Sequence, residues 1–106
     1  MSNVTHFKGP VAETSTETVT GAGAVSPGPA TTYLAITGAD ALTLAYGKEG
    51  QNKYITAISA AGTGTLTPDN LAGAGTIAFN AIGDSVHLRF VNSAWTIFGQ
   101  NSVVVA

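Results

Sequence analysis

The sequence predicts an all-β fold: a small β-sandwich or barrel-like domain over residues 31–106, preceded by an extended arm over residues 1–30. Three observations predict it. From Thr31 onward, apolar and polar residues alternate in short runs. Gly, Asn and Asp punctuate those runs at intervals of about eight to twelve residues, the spacing of a sandwich or barrel. No segment carries a long helical period.

The arm is read from composition. "VAETSTETVTGAGAVSPGPA" is rich in Thr, Ser, Gly, Ala and Pro, and its only larger apolar side chains before Tyr33 are Val11, Val19 and Val25. Such a stretch buries too little apolar area on its own to offset the entropy of ordering it. It closes at the turn-forming "SPGP", Ser26 to Pro29. Within it, Thr16, Thr18 and Thr20 alternate with Ser15, Glu17 and Val19, a pattern that also suits a short edge strand. At its start, "THFKGPV" places His6, Phe7 and Val11 together as a small apolar anchor, which favours an arm that orders on a partner over a solubilising tail.

The body then follows strand by strand. "TTYLAIT" puts Tyr33, Ala35 and Thr37 on one face and Leu34 and Ile36 on the other. "ALTLAYG" alternates Leu42 and Leu44. "QNKYITAISA" sets Lys53, Ile55 and Ala57 against Tyr54, Thr56 and Ile58. "TLTP" and "GTIAFN" are short strands around a Gly-rich turn, and "PDNLAG" between them is read as one helical turn. "DSVHLRFVN" points Val86, Leu88 and Phe90 one way and His87 and Arg89 the other. "AWTIFG" returns after "VNSA" as the second strand of a hairpin, and "SVVVA" closes the chain. "LTLAYGKEGQNKYITAI" and "IAFNAIGDSVHLRFV" share the plan strand, turn with Gly and an acid, strand, which reads as two similar hairpin units.

Composition removes several classes of function. The 106 residues make one domain at most, and a chain of this size gains stability from close packing, from partner subunits, or from both. Without Cys there are no disulfides and no thiolate metal ligands. His6 and His87 lie too far apart for metal-ligand spacing, so no metal and no cofactor is expected. Four Lys and Arg cannot form the basic patch of a nucleic-acid binder. No apolar run approaches a bilayer span and no secretory apolar core opens the chain, so a protein made in a cytoplasm is expected, without a membrane partner. Charged residues are only 9% of the chain, against about 25% in ordinary globular domains. Charge keeps surfaces apart, so a surface this low in charge is expected to be covered by other subunits.

Groups for catalysis are scarce. A nucleophile needs a base within hydrogen-bond reach and a third group to orient that base. His87 is the one His of the β region and alternates outward on its strand, the position of a solvated or interfacial side chain. Asp40, Glu49, Asp69 and Asp84 lie in turns and are expected to bond turn backbones. "GAGAV", "GTGT" and "GAGT" lack the Lys and following helix of a phosphate loop, so they read as turns. Trp95, Phe90, Phe98, Phe79 and Tyr54 read as core, with a sugar-binding face of Trp95 or Tyr54 as the alternative. The expectation is no enzyme and no small-molecule substrate.

Four stretches carry a resemblance: Ala41–Leu44 with the turn Lys48–Gln51, Leu66–Pro68, Leu71 to Phe79, and Gly83 to Trp95. Together they resemble small virion proteins of tailed bacteriophages, over residues 31 to 106, and "VTHFKGPV" is similar to openings of phage structural proteins. None of these motifs is catalytic. The resemblance implies a capsid decoration (cement) protein, commonly a homotrimer, that binds the outer capsid surface and bridges major capsid protein subunits to stabilise the head. It places the protein on the virion, after synthesis in the host bacterial cytoplasm. The second reading within that class is a trimeric head-fibre or tail-fibre attachment domain. The arm residues expected to touch the capsid are Thr5, His6, Phe7, Pro10 and Val11.

Overall fold

The computed structural model describes residues 16–106. They form ten strands and no helix: β1 Thr16–Thr20, β2 Gly23–Val25, β3 Thr31–Ile36, β4 Asp40–Leu44, β5 Asn52–Ala60, β6 Gly64–Pro68, β7 Ile77–Phe79, β8 Ser85–Val91, β9 Ala94–Asn101 and β10 Val104–Val105. Two mixed five-stranded sheets face each other. The first has the order β1-β3-β5-β8-β9 and the second β10-β7-β6-β4-β2. The expected all-β sandwich is therefore the observed architecture.

The connectivity divides the molecule into two halves. From β1 to β6 the chain passes alternately between the sheets, and like strands stack in parallel: β1 on β3 on β5 in the first sheet, β2 on β4 on β6 in the second. Residues 16–68 thus wind as three flattened coils, each contributing one strand to either sheet. The second half is antiparallel. β7 pairs with β6, β8 with β5, β9 with β8 and β10 with β7, which closes one end of the winding.

Small residues make the coils possible. The corner from β3 to β4 is Thr37–Gly38–Ala39 and the corner from β5 to β6 is Ala61–Gly62–Thr63, and the two stack in register. A Cβ on Gly62 would lie 2.7 Å from the backbone of Gly38, so the coils touch main chain to main chain there. Hydrogen bonds from Ala61 N to Ile36 O (2.9 Å) and from Gly21 N to Ala35 O (3.0 Å) continue the parallel ladder around the corners.

Residues 16–30, assigned to the arm from composition, are the first coil. β1 and β2 are the edge strands of the two sheets, Val25 is buried, and Val19 packs against the core. Thr, Gly and Ala look too small to hold a segment in place, but a parallel ladder holds it through main-chain bonds, which composition does not report. Two further expectations change. The segments read as paired hairpins are not hairpins: β4 to β5 and β7 to β8 each cross from the second sheet to the first. "PDNLAG" holds no helical turn, because Asn70 takes a left-handed backbone (φ 56°) that breaks a right-handed helix. Leu71 instead bridges to Trp95.

The inner faces supply the core: Leu34, Ile36, Leu42, Leu44, Ile55, Leu66, Ile77, Phe79, Leu88 and Trp95, among others, all nearly inaccessible to solvent. They are the apolar members of the alternating runs. The interior side of β5 includes Lys53, as the alternation requires, and its side chain is wholly buried.

Candidate functional site

The residues expected to contact a capsid, Thr5, His6, Phe7, Pro10 and Val11, lie outside the described residues. Three features of the described residues bear on function: the charged pair that fixes the first coil, the clip formed by the turn Lys48–Gln51, and the outer face of the first sheet.

Glu17 of β1 is the carboxylate of the first feature. Its Oε1 accepts hydrogen bonds from Ser26 N and Thr32 Oγ1, both at 2.8 Å, and lies 3.7 Å from Lys53 Nζ. Lys53 Nζ also donates to Pro29 O at 2.6 Å. Glu17, Thr32 and Lys53 stand on the inner side of three neighbouring strands, so the group ties β1, β3, β5 and the Ser26–Ala30 return together. Burial works to raise the Glu17 carboxyl, and the bonds from Thr32 and Ser26, with the Lys53 charge, outweigh it, so its pKa lies below the ordinary carboxylate value. Burial lowers the Lys53 ammonium from its ordinary value, and the Glu17 charge offsets part of that.

The turn Lys48–Gln51 forms the second feature. Glu49 Oε2 accepts from Asn92 N at 2.7 Å, capping the two-residue loop of the β8–β9 hairpin. Asn92 and Ser93 both have positive φ (54° and 63°), as the right-twisted two-residue hairpin loop demands. Gly50 N to Phe90 O (2.7 Å) and Phe90 N to Gln51 O (2.9 Å) complete the clip. Gly47 lies under the indole of Trp95, where a Cβ would come within 2.8 Å of the ring, and Trp95 Nε1 donates to Ala45 O at 2.9 Å. Asp40 and Asp84 behave as the sequence suggests. Asp40 accepts from Thr37 N (2.9 Å), and Asp84 from Asn80 N (2.9 Å) and Ala81 N (3.1 Å). Glu49 differs, since it caps a turn 43 residues downstream.

Aromatic rings mark the outer face of the first sheet. Trp95 is fully buried, which removes it from any sugar-binding face, and Phe79 and Phe90 are core as expected. Tyr54 and Phe98 are 42% and 57% exposed, so they are not core. Tyr54 stacks on His87 at 4.4 Å between ring centres with 16° between planes, and Phe98 lies 5.9 Å from His87 on its other strand neighbour. His87 Nε2 lies 2.9 Å from Asn52 Oδ1, which fixes the imidazole. Beside these rings is an open cleft of ≈ 300 Å³. Periodicity found the outward His87 and also sends Phe98 outward, opposite Trp95 and Ile97, but nothing local in sequence shows that Gly99 joins that face, because a break in the β8–β9 register between His87 and Leu88 sets its direction.

Among the described residues no cluster of His, Asp or Glu could hold a metal ion, and no helix is long and apolar enough to cross a membrane. No protein-family model matches the chain, and no curated protein matches it.

Proposed function

We propose that this chain is a bacteriophage capsid decoration protein, which binds the outer surface of the head and bridges major capsid protein subunits. The observation that carries the reading is the resemblance of residues 31–106 to small phage virion proteins, together with what those residues do. The motifs supply scaffold and clip, with Leu42, Leu44, Leu66, Phe79 and Trp95 in the core and Glu49 on the hairpin loop.

Two physical features support it. The surface is low in charge yet exposes Tyr33, Tyr54, Ile58, Ile82 and Phe98, the composition of a surface that meets other protein. The first coil presents two edge strands, β1 and β2, whose outer sides pair with no strand among the described residues. The segment with Thr5, His6, Phe7, Pro10 and Val11 precedes β1 directly. Main-chain hydrogen bonding at such edges is a general means of joining two chains. Each contact can be weak, because many copies act together on one shell.

Co-sedimentation with purified, expanded shells tests the proposal. The full chain should pellet with the shells at near-stoichiometric ratio to the major capsid protein, and a variant lacking residues 2–12 should stay in the supernatant while remaining folded. Binding retained without residues 2–12 contradicts the role of the arm. Binding at only a few copies per particle favours the fibre-attachment reading instead.

A further inference from the structure

The cleft on the outer face of the first sheet is built from two adjoining cross-strand rows. Tyr54, His87 and Gly99 form one, and Thr56, Ser85 and Asn101 form the next. Three features distinguish it from ordinary sheet surface.

The first is its aromatic wall. Tyr54 and His87 are held parallel at 4.4 Å, and Asn52 fixes the imidazole. Phe98 is the extra residue of a β-bulge, since His87 pairs with Gly99 while Leu88 pairs with Ile97. Alternation from the inward Trp95 and Ile97 already turns Phe98 outward, and the bulge re-aims the next residue, Gly99, to the same face, where it pairs with His87. Phe98 lies beside His87, 5.9 Å between ring centres, next to the cleft and outside its lining.

The second is the floor. Gly99 carries no side chain at the outer end of its row, on the edge strand β9, and a Cβ added there would meet nothing within 4 Å. The third is the polar lining. Thr56, Ser85 and Gln100 make no side-chain hydrogen bond to any described residue, so their hydroxyl and amide groups are open to a ligand. No Asp, Glu, Lys or Arg lines the cleft.

Exposed flat rings beside uncommitted neutral donors and acceptors match one ligand chemistry well. A pyranose offers an apolar face of C–H groups to an aromatic ring, whose face is electron-rich, and hydroxyls at its edge to amides and side-chain hydroxyls. The volume is at the lower end for small-molecule sites, which are about 300–1,000 Å³. An anionic ligand would find no cation in the lining, and an extended apolar partner would leave Thr56, Ser85 and Gln100 unpaired, which costs binding energy. From these observations we infer that the cleft between Tyr54, His87 and Gly99 and the Thr56–Ser85–Asn101 row is a binding site for a neutral saccharide. The site shares Tyr54 with the exposed surface that supports the capsid reading, but it uses neither the arm nor the β1 and β2 edges.

The test is titration of the full chain, followed by amide chemical shifts, with a set of neutral probes: maltotriose, cellotriose, chitotriose and a rhamnose trisaccharide. At least one should shift Thr56, Ser85, His87 and Gln100 with saturation in the millimolar range. Tyr54→Ala should weaken that binding about tenfold or more, the loss of one stacked ring. Gly99→Leu should abolish it by filling the floor. Both variants alter exposed positions, and an unchanged buried-Trp95 fluorescence spectrum reports that they are folded. The inference is overturned if no probe shifts these residues at 20 mM (~20 mM being a generous ceiling for a stacking site), or if the shifts persist in Gly99→Leu. It is also overturned if Tyr54→Ala and Gly99→Leu abolish co-sedimentation with shells and no sugar binds, which makes the same face a protein interface. Loss of sugar binding with co-sedimentation intact separates this site from the capsid reading.

Discussion

Gly38 and Gly62 stack on each other, yet only one of them has to be glycine. A Cβ on Gly62 would sit 2.7 Å from the Gly38 main chain, whereas a Cβ on Gly38 would meet nothing within 4 Å. Neither has a positive φ, so the difference is steric alone. Gly62→Ala should destabilise by about 1–3 kcal/mol, the usual cost of overpacking, and Gly38→Ala should be neutral within about 0.5 kcal/mol. Chemical denaturation of the pair checks this. The Glu17–Lys53 pair carries a similar asymmetry. Glu17→Ala leaves a wholly buried ammonium with Pro29 O as its remaining acceptor, so it should cost about 3–5 kcal/mol. Lys53→Met removes the buried charge and leaves Glu17, partly exposed, with its Ser26 and Thr32 donors, so its cost should be smaller, about 1–2 kcal/mol. Equal losses would mean that the ion pair does not fix the first coil. The alternation of β5 already sets Lys53 with Ile55 and Ala57 on the inner face, so its burial was legible. Its partner was not, because Glu17 lies 36 residues away, on a segment whose alternation suits an edge strand but does not show which strand it joins.

At the scale of elements, the connections between sheets depend on capped turns. Asp84 is buried and accepts two main-chain bonds in the β7–β8 crossing, from Asn80 N and Ala81 N. Asp84→Ala orphans both donors and should cost about 1–3 kcal/mol, read as a lowered denaturation midpoint with an unchanged slope. Strand positions and inward faces were legible because a period of two needs only neighbouring residues. The partners of those strands were not. A strand followed by a short polar turn suits a hairpin or a crossing to the facing sheet equally well in sequence. The parallel coils had one signal, the recurrence of "TGAGA", "TGADA" and "AGTGT" at Thr20, Thr37 and Ala61, each a small-residue corner between strands of opposite sheets. In the candidate cleft, Tyr54 and His87 share a face by alternation, but the outward Gly99 depends on a bulge that no local pattern announces.

For the whole molecule, stability should follow two groups in opposite pH ranges. The Glu17 carboxyl is depressed in the folded state, so its contribution is present above the ordinary carboxylate pKa of about 4.3 and is lost as the pH falls through its folded value. Glu17→Gln should flatten the acid limb of the thermal midpoint against pH. The Lys53 ammonium is also depressed, so the unfolded chain holds that proton more tightly, and stability should rise as the pH climbs from the folded value toward about 10.4. Lys53→Met should remove that rise, and a rise that persists in the variant would assign it to another group.

The decoration reading requires a protein that assembles with itself and with a shell in high copy number. The most direct measurement is mass by light scattering in solution, followed by the copy number bound per shell after sedimentation with purified capsids. The account predicts a stable trimer, bound at near-stoichiometric ratio to the major capsid protein. A monomer that leaves the shells bare would contradict it.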